Sequence, residues 1–170
     1  MEKPNPLARA EYFSQRVRRL NRGASKEAIG QLASAIGFEP PPEMVAVLSY
    51  ANGGRVCDFS FFGVVDPNAA FRSPKVRDIL SKWRTLRSLK NLTAEWPSTW
   101  VPIGYNGFGD IYVLDSASLV LIPEGSILLV DHEFVGEEDA HSQFAIGYFS
   151  FLEKVLDELQ MVWTPDGRIR

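Results

Sequence analysis

At 170 residues, with 45% hydrophobic, 23% charged and 12% aromatic side chains, the chain has the size and composition of one globular domain with its own core. Its single cysteine, Cys57, excludes an internal disulfide and suits a reducing compartment. The net charge of −3 argues against general nucleic-acid binding, and no uninterrupted apolar run reaches membrane-spanning length.

That net charge conceals an asymmetry. Residues 1–100 carry 15 Lys and Arg against 9 Asp and Glu, whereas residues 101–170 carry 3 against 12. The bases concentrate at Arg16, Arg18, Arg19 and Arg22, and again at Lys75, Arg77, Lys82, Arg84, Arg87 and Lys90. Read simply, these are solvated helix faces attracted to the acidic half of the same molecule. Asp131, Glu133, Glu137, Glu138 and Asp139 crowd into nine residues and suit a steering surface for a basic partner. Met1 to Pro6 lacks an apolar signal region, so the cytoplasm is the expected location.

In chain order, Asn5-Pro6 opens a first helix whose imperfect apolar stripe, Leu7, Ala10, Phe13, Val17 and Leu20, runs to Gly23. Ser25 caps a second, with Ala28, Ile29, Leu32, Ala33 and Ile36 at helical spacing and Gly37 as its stop. Pro40-Pro41-Pro42 turns a corner and starts a third, which buries Met44, Val45, Val47, Leu48 and Ala51. Asn52-Gly53-Gly54 reads as that helix's stop. Val56 to Val65 then reads as one strand, with Cys57 a buried, inert thiol. Ser73-Pro74 opens a fourth helix that turns Val76, Ile79, Leu80, Trp83 and Leu86 inward.

Trp100 to Leu114 is the clearest element. Asn106-Gly107 between apolar runs predicts a hairpin whose two central residues take positive φ, and Gly109 marks a bulge or a close backbone approach. A second hairpin pairs Leu119–Ile122 with Ile127–Val130 across Pro123 to Ser126. The closing helix, from about Ser142 to Gln160, buries Phe144, Tyr148, Phe151, Leu152, Val155 and Leu159, and Trp163 with the Thr164-to-Gly167 turn forms a tail. Turns this tight leave no room for crossover helices. The expected fold is therefore α+β, with a mainly antiparallel sheet, helices before it, one inserted helix and one closing helix.

Few residues suggest catalysis. If Asp131-His132-Glu133 lies on a strand, His132 faces away from its neighbours, and the three cannot meet on one ion. A hard-cation site from Asp110, Asp131 and Glu133 is the rival reading; the simpler one has Asp131 satisfying loop N–H groups. The glycines 104, 107 and 109 precede a strand, so no helix N-terminus receives a phosphate there. Two histidines without a nucleophile-elbow motif give no hydrolase. If Ile111 and Val113 face the core, Tyr112 and Asp110 face outward together and offer a binding patch. Trp100 is either a buried anchor or the rim of that patch.

Four motifs in order carry a family likeness: Pro41 to Gly54, ending in Asn-Gly-Gly; Trp100, Ile103-Gly104 and Gly109-Asp110-Ile111-Tyr112; Asp131-His132-Glu133; and Tyr148-Phe149-Ser150-Phe151-Leu152. With them the chain resembles the SUKH superfamily, the Smi/Knr-like domain, over roughly residues 25–160. The closing signature is a variant form, and the arginine-bearing N-terminal segment lies outside the pattern. The expected organisation is an N-terminal helical extension over 1–24, the domain over 25–160 and a tail over 161–170.

The resemblance implies a non-enzymatic, cofactor-free protein-binding domain. Its bacterial members are thought to be immunity proteins that neutralise toxins, often nucleases; its fungal members look like regulators of cell-wall assembly. Together with the acidic run it makes a basic toxin domain the expected partner, rather than nucleic acid or membrane. The residues read from charge and alternation as its contact surface are Trp100, Asp110, Tyr112, Asp131, Glu133, Glu137, Glu138 and Asp139. A regulatory scaffold is the alternative, and a metal-dependent enzyme using the acidic cluster a more distant one.

Overall fold

In the computed structural model, which describes residues 4–65, 78–89, 96–133 and 140–170, seven strands pair antiparallel in the order in which they occur in the chain. They are β1 (Arg18–Arg22), β2 (Ala51–Val56), β3 (Phe59–Phe61), β4 (Trp100–Tyr105), β5 (Ile111–Asp115), β6 (Ser126–Val130) and β7 (His141–Ile146). The helices are α1 (Asn5–Arg9), α2 (Lys26–Ile36), α3 (Pro42–Tyr50), α4 (Ile79–Ser88) and α5 (Tyr148–Val162). The expected α+β class and antiparallel sheet are what the chain adopts.

Local chemistry accounts for the helix ends. Ser25 Oγ accepts from the Ala28 amide at 3.2 Å, and Gly37 closes α2 at φ 83°. Asp78 caps α4 with both carboxylate oxygens, so that helix starts there rather than at Ser73-Pro74, which lies outside the described residues with Val76. α5 starts at Gly147, which has no capping side chain of its own; Glu43 of α3 reaches across and accepts from the Phe149 amide at 2.9 Å.

Other expected boundaries move as well. The first helix stops at Arg9 and a short 3-10 turn follows, because Arg18 to Arg22 pairs with β2 as an edge strand. The arginines there lie on a strand, not on a solvated helix face. Asn52-Gly53-Gly54 does not stop α3: it lies inside β2. Val56 to Val65 is not one strand: β2 ends at Val56, Cys57 (φ 51°) and Asp58 turn the chain, and β3 takes up Phe59–Phe61. Leu119 to Ile122 is not a strand either. Ser116 to Val120 forms a 3-10 turn, Val120 and Leu121 are exposed, and β6 pairs with β5 and β7 instead. The closing helix begins at Tyr148, since His141 to Ile146 forms β7.

Asn52 explains its motif. Its side chain is buried and pairs with the main chain of Val64 at both ends, accepting from Val64 N at 2.7 Å and donating to Val64 O at 2.8 Å. A Cβ on Gly53 would come within 2.7 Å of Gly63 N, and one on Gly54 within 2.5 Å of Arg19 O. The two glycines let three chain segments close on one amide.

Both faces of the sheet are covered. The main core joins Phe59, Phe61, Ile103, Tyr112 and Leu114 to Leu32, Met44, Leu48, Phe151, Leu152 and Val155 of the helices. On the other face Leu86 of α4 and Trp96 cover Ile111, Val113 and Val130. Trp83 of α4 is buried, as expected.

Candidate functional site

The pairing of Ile111 with Val130 decides what meets at the open end of the β5–β6 pair. The next residues outward, Asp110 and Asp131, leave the sheet side by side. Asp131 N still donates to Ala140 O at 2.8 Å, and the chain bends at His132 and Glu133. His132 therefore turns back, with Nδ1 2.9 Å from Asp110 Oδ1. Its amide donates to the same oxygen at 3.3 Å, and the Glu133 amide donates to Asp131 Oδ1 at 2.9 Å.

Strand alternation at 131–133 does not hold, because these residues lie past the end of β6. Ligand atoms of Asp110, Asp131 and His132 all fall within 4.8 Å of one another. Two carboxylates and one imidazole suit a divalent cation in kind. Exposed acidic groups gather this way without one too. Of the hard-cation set read from the sequence, Asp110 and Asp131 come together, and His132 stands in the place of Glu133, whose amide folds back on Asp131.

Hydrogen bonds set the charge of this cluster. Partial burial pushes the Asp110 carboxyl up, but bonds from His132 and Asn106 outweigh it and hold the group below its ordinary value of 3.8. The bond to Asp110 raises His132 above its ordinary 6.5, with Glu133 and Asp131 adding to it.

Between β4 and β5 the loop is preformed. Asn106 Oδ1 accepts from the amides of Phe108, Gly109 and Asp110, each at 3.0 Å, while Asn106 Nδ2 donates to Asp110 Oδ2 at 2.9 Å. This is a five-residue loop, not a two-residue turn. Positive φ occurs at Gly109 (104°) and not at Asn106 or Gly107. What favours glycine at 109 is that φ rather than a close approach, since a Cβ there would make ordinary contact with the His132 ring at 3.4 Å. The close approach is instead at Gly107, toward the β2–β3 turn, where a Cβ would come 2.5 Å from Asp58 Oδ2. The loop carries Phe108 at its tip, 82% exposed.

Of the residues singled out from sequence, Asp110 and Asp131 meet directly, and Glu133 stands exposed beside them. Tyr112 does not join them. It is 3% exposed, packed against Phe59, Phe144 and Phe151, and its phenol is pushed up by burial. The expectation failed because both faces of β5 are covered, so alternation has no outward side. Trp100 is half-buried: it pairs with Asp115 at the far end of the hairpin, yet its ring lies 4.8 Å from that of His141, whose strand partner is Val130. It is a rim residue against Trp96 and His141. Glu137, Glu138 and Asp139 lie outside the described residues.

Sequence reasoning missed Phe108 and Asp58. The signal was present in Asn106-Gly107-Phe108-Gly109: an aromatic flanked by glycines in a polar loop has no core to enter.

Cys57 lies in the β2–β3 turn with 9% exposure, and burial pushes its thiol up to about 11. It is a poor nucleophile, as expected. Among the described residues no helix is long and apolar enough to cross a membrane. No curated protein matches the chain. A family model does, over residues 23–149, which takes in β2 to β7, the Asn52 pin and the Asp110–Asp131–His132 cluster, and by it this chain belongs to the SMI1 / KNR4 family (SUKH-1).

Proposed function

We propose that the chain is an immunity-type protein that binds a basic toxin domain and blocks it by occlusion, without chemistry of its own. Family membership supports a binding or regulatory domain. The observation that carries the finer reading is the Phe108 loop: a braced turn that holds an aromatic side chain out into solvent, beside Asp110, Asp131 and Glu133. Exposed aromatics on rigid supports make strong contact anchors, because they lose little conformational freedom on binding. The surrounding carboxylates, with Glu137, Glu138 and Asp139 following in sequence, steer a basic partner.

The test is co-purification with the product of the adjacent gene, followed by rescue of cells that express that product. Glu137→Lys with Asp139→Lys then slows association, more at low salt than at high salt. An unchanged on-rate and salt dependence would remove the electrostatic part. The same surface could serve a regulatory scaffold; capture of a housekeeping protein with no toxicity to neutralise decides for that reading. The convergence of Asp110, Asp131 and His132 favours the enzymatic alternative only if the purified protein holds a stoichiometric metal.

A further inference from the structure

A second surface lies along the edge of the sheet. Arg18, Arg19 and Arg22 belong to β1, and Arg19 stands directly opposite Arg55 of β2. Like charges directly opposite on an antiparallel pair repel each other. Arg16 adds a third: Arg16, Arg19 and Arg55 line an open cleft of about 340 Å³ against Cys57 and Trp163. Arg55 Nε donates to the Cys57 carbonyl, which fixes its guanidinium over the turn. One carboxylate, Asp58, lines the same cleft, and among the described residues it forms an ion pair with none of the three.

The main chain beside this cleft is open as well. The Val17 carbonyl turns inward to accept from Cys57 N at 2.9 Å. Alternation then turns the Arg18 carbonyl and the Leu20 N–H to the outer side of β1, which ends the sheet and pairs with β2 alone among the described strands. Charges on an edge strand guard against self-association. That role does not require a second arginine opposite the first, or a third across a cleft.

The geometry points to a docking site for an extended acidic peptide segment of another protein, which adds to the sheet at β1 and places carboxylates on Arg16, Arg19 and Arg55. Open strand-edge groups favour a peptide over a nucleic acid, whose backbone cannot extend a sheet. Asp58 touches Gly107 of the Phe108 loop and also lines this cleft, so the two surfaces adjoin but use different residues. The inference therefore stands apart from the proposed function.

Fluorescence anisotropy on the full chain at low ionic strength tests it. The probes are a labelled peptide of alternating Glu and Val, the same peptide with Lys for Glu, and a single-stranded oligonucleotide of equal negative charge. The Glu peptide binds saturably, the Lys peptide does not, and the Leu20 amide gains protection from hydrogen exchange in the complex. Arg19→Thr with Arg55→Thr weakens the Glu peptide at least about tenfold, as loss of charged hydrogen bonds should. Arg16→Ser precedes the strand and leaves its ladder intact, so it carries the test if the double variant fails to fold, with a loss of about threefold or more. No saturable binding of the Glu peptide, oligonucleotide binding as tight as the peptide's, or unchanged affinity in either folded variant overturns the proposal.

Discussion

Two buried polar side chains make opposite predictions. Tyr148 is 1% exposed and its hydroxyl finds no hydrogen-bond partner among the described residues, so burial removes it from water without compensation there. Tyr148→Phe keeps the ring contact with Phe151 and removes that loss; chemical denaturation should report a gain of about 1 kcal/mol. Asn52 is the reverse case. Asn52→Ala strands the Val64 N–H and carbonyl in the core and should cost roughly 2–4 kcal/mol in the same assay. A third residue, His132, reports on the acidic cluster. Its NMR titration midpoint should lie above 6.5 in the native protein and fall in Asp110→Asn, where the carboxylate partner is gone. The sign for stability follows. His132, raised, contributes fully below 6.5 and loses its contribution as pH rises through its folded value. Asp110, lowered, contributes above 3.8 and loses its contribution as pH falls through its own. The pair therefore supports the fold best between those two ordinary values. A His132 midpoint at or below 6.5 would mean the contact does not persist in solution.

At the scale of elements, the sequence was most legible where one local rule governs. Ser25, Gly37 and the spacing between them specify α2, and Trp83 and Leu86 show α4's inner face. It was least legible where a partner strand decides. Arg18 to Arg22 has no alternation to mark it as a strand; its state comes from β2, whose glycines let it approach. His141 to Ile146 continues the apolar spacing of α5 through Phe144, and only Gly147, at φ 83°, separates strand from helix. β5 misled in another way. Tyr112 and Ile111 are both buried because the helical layer covers one face and α4 with Trp96 the other, and a strand buried on both sides does not announce an outward residue. The candidate site was readable only in part: Asp110 and Asp131 stood out as strand-end carboxylates, whereas the β5–β6 pairing that joins them, the bend that returns His132 and the bracing by Asn106 that presents Phe108 are three-dimensional facts.

For the whole molecule, the seven-stranded meander is a support for loops rather than a container. The site's residues come from the ends of β4, β5 and β6 and stay close because the strands between them are pinned on both faces. Acidic groups gather at one loop cluster and arginines along β1, so the molecule carries two surfaces of opposite charge. On the proposed function, the braced Phe108 loop is a contact anchor for a protein partner. Calorimetric titration of the purified chain and its Phe108→Ala variant with the product of the adjacent gene tests this most directly. The expected result is a one-to-one complex that the substitution weakens at least about tenfold, with the variant's melting temperature unchanged. A complex that forms equally well without Phe108, or no complex at all, would contradict it.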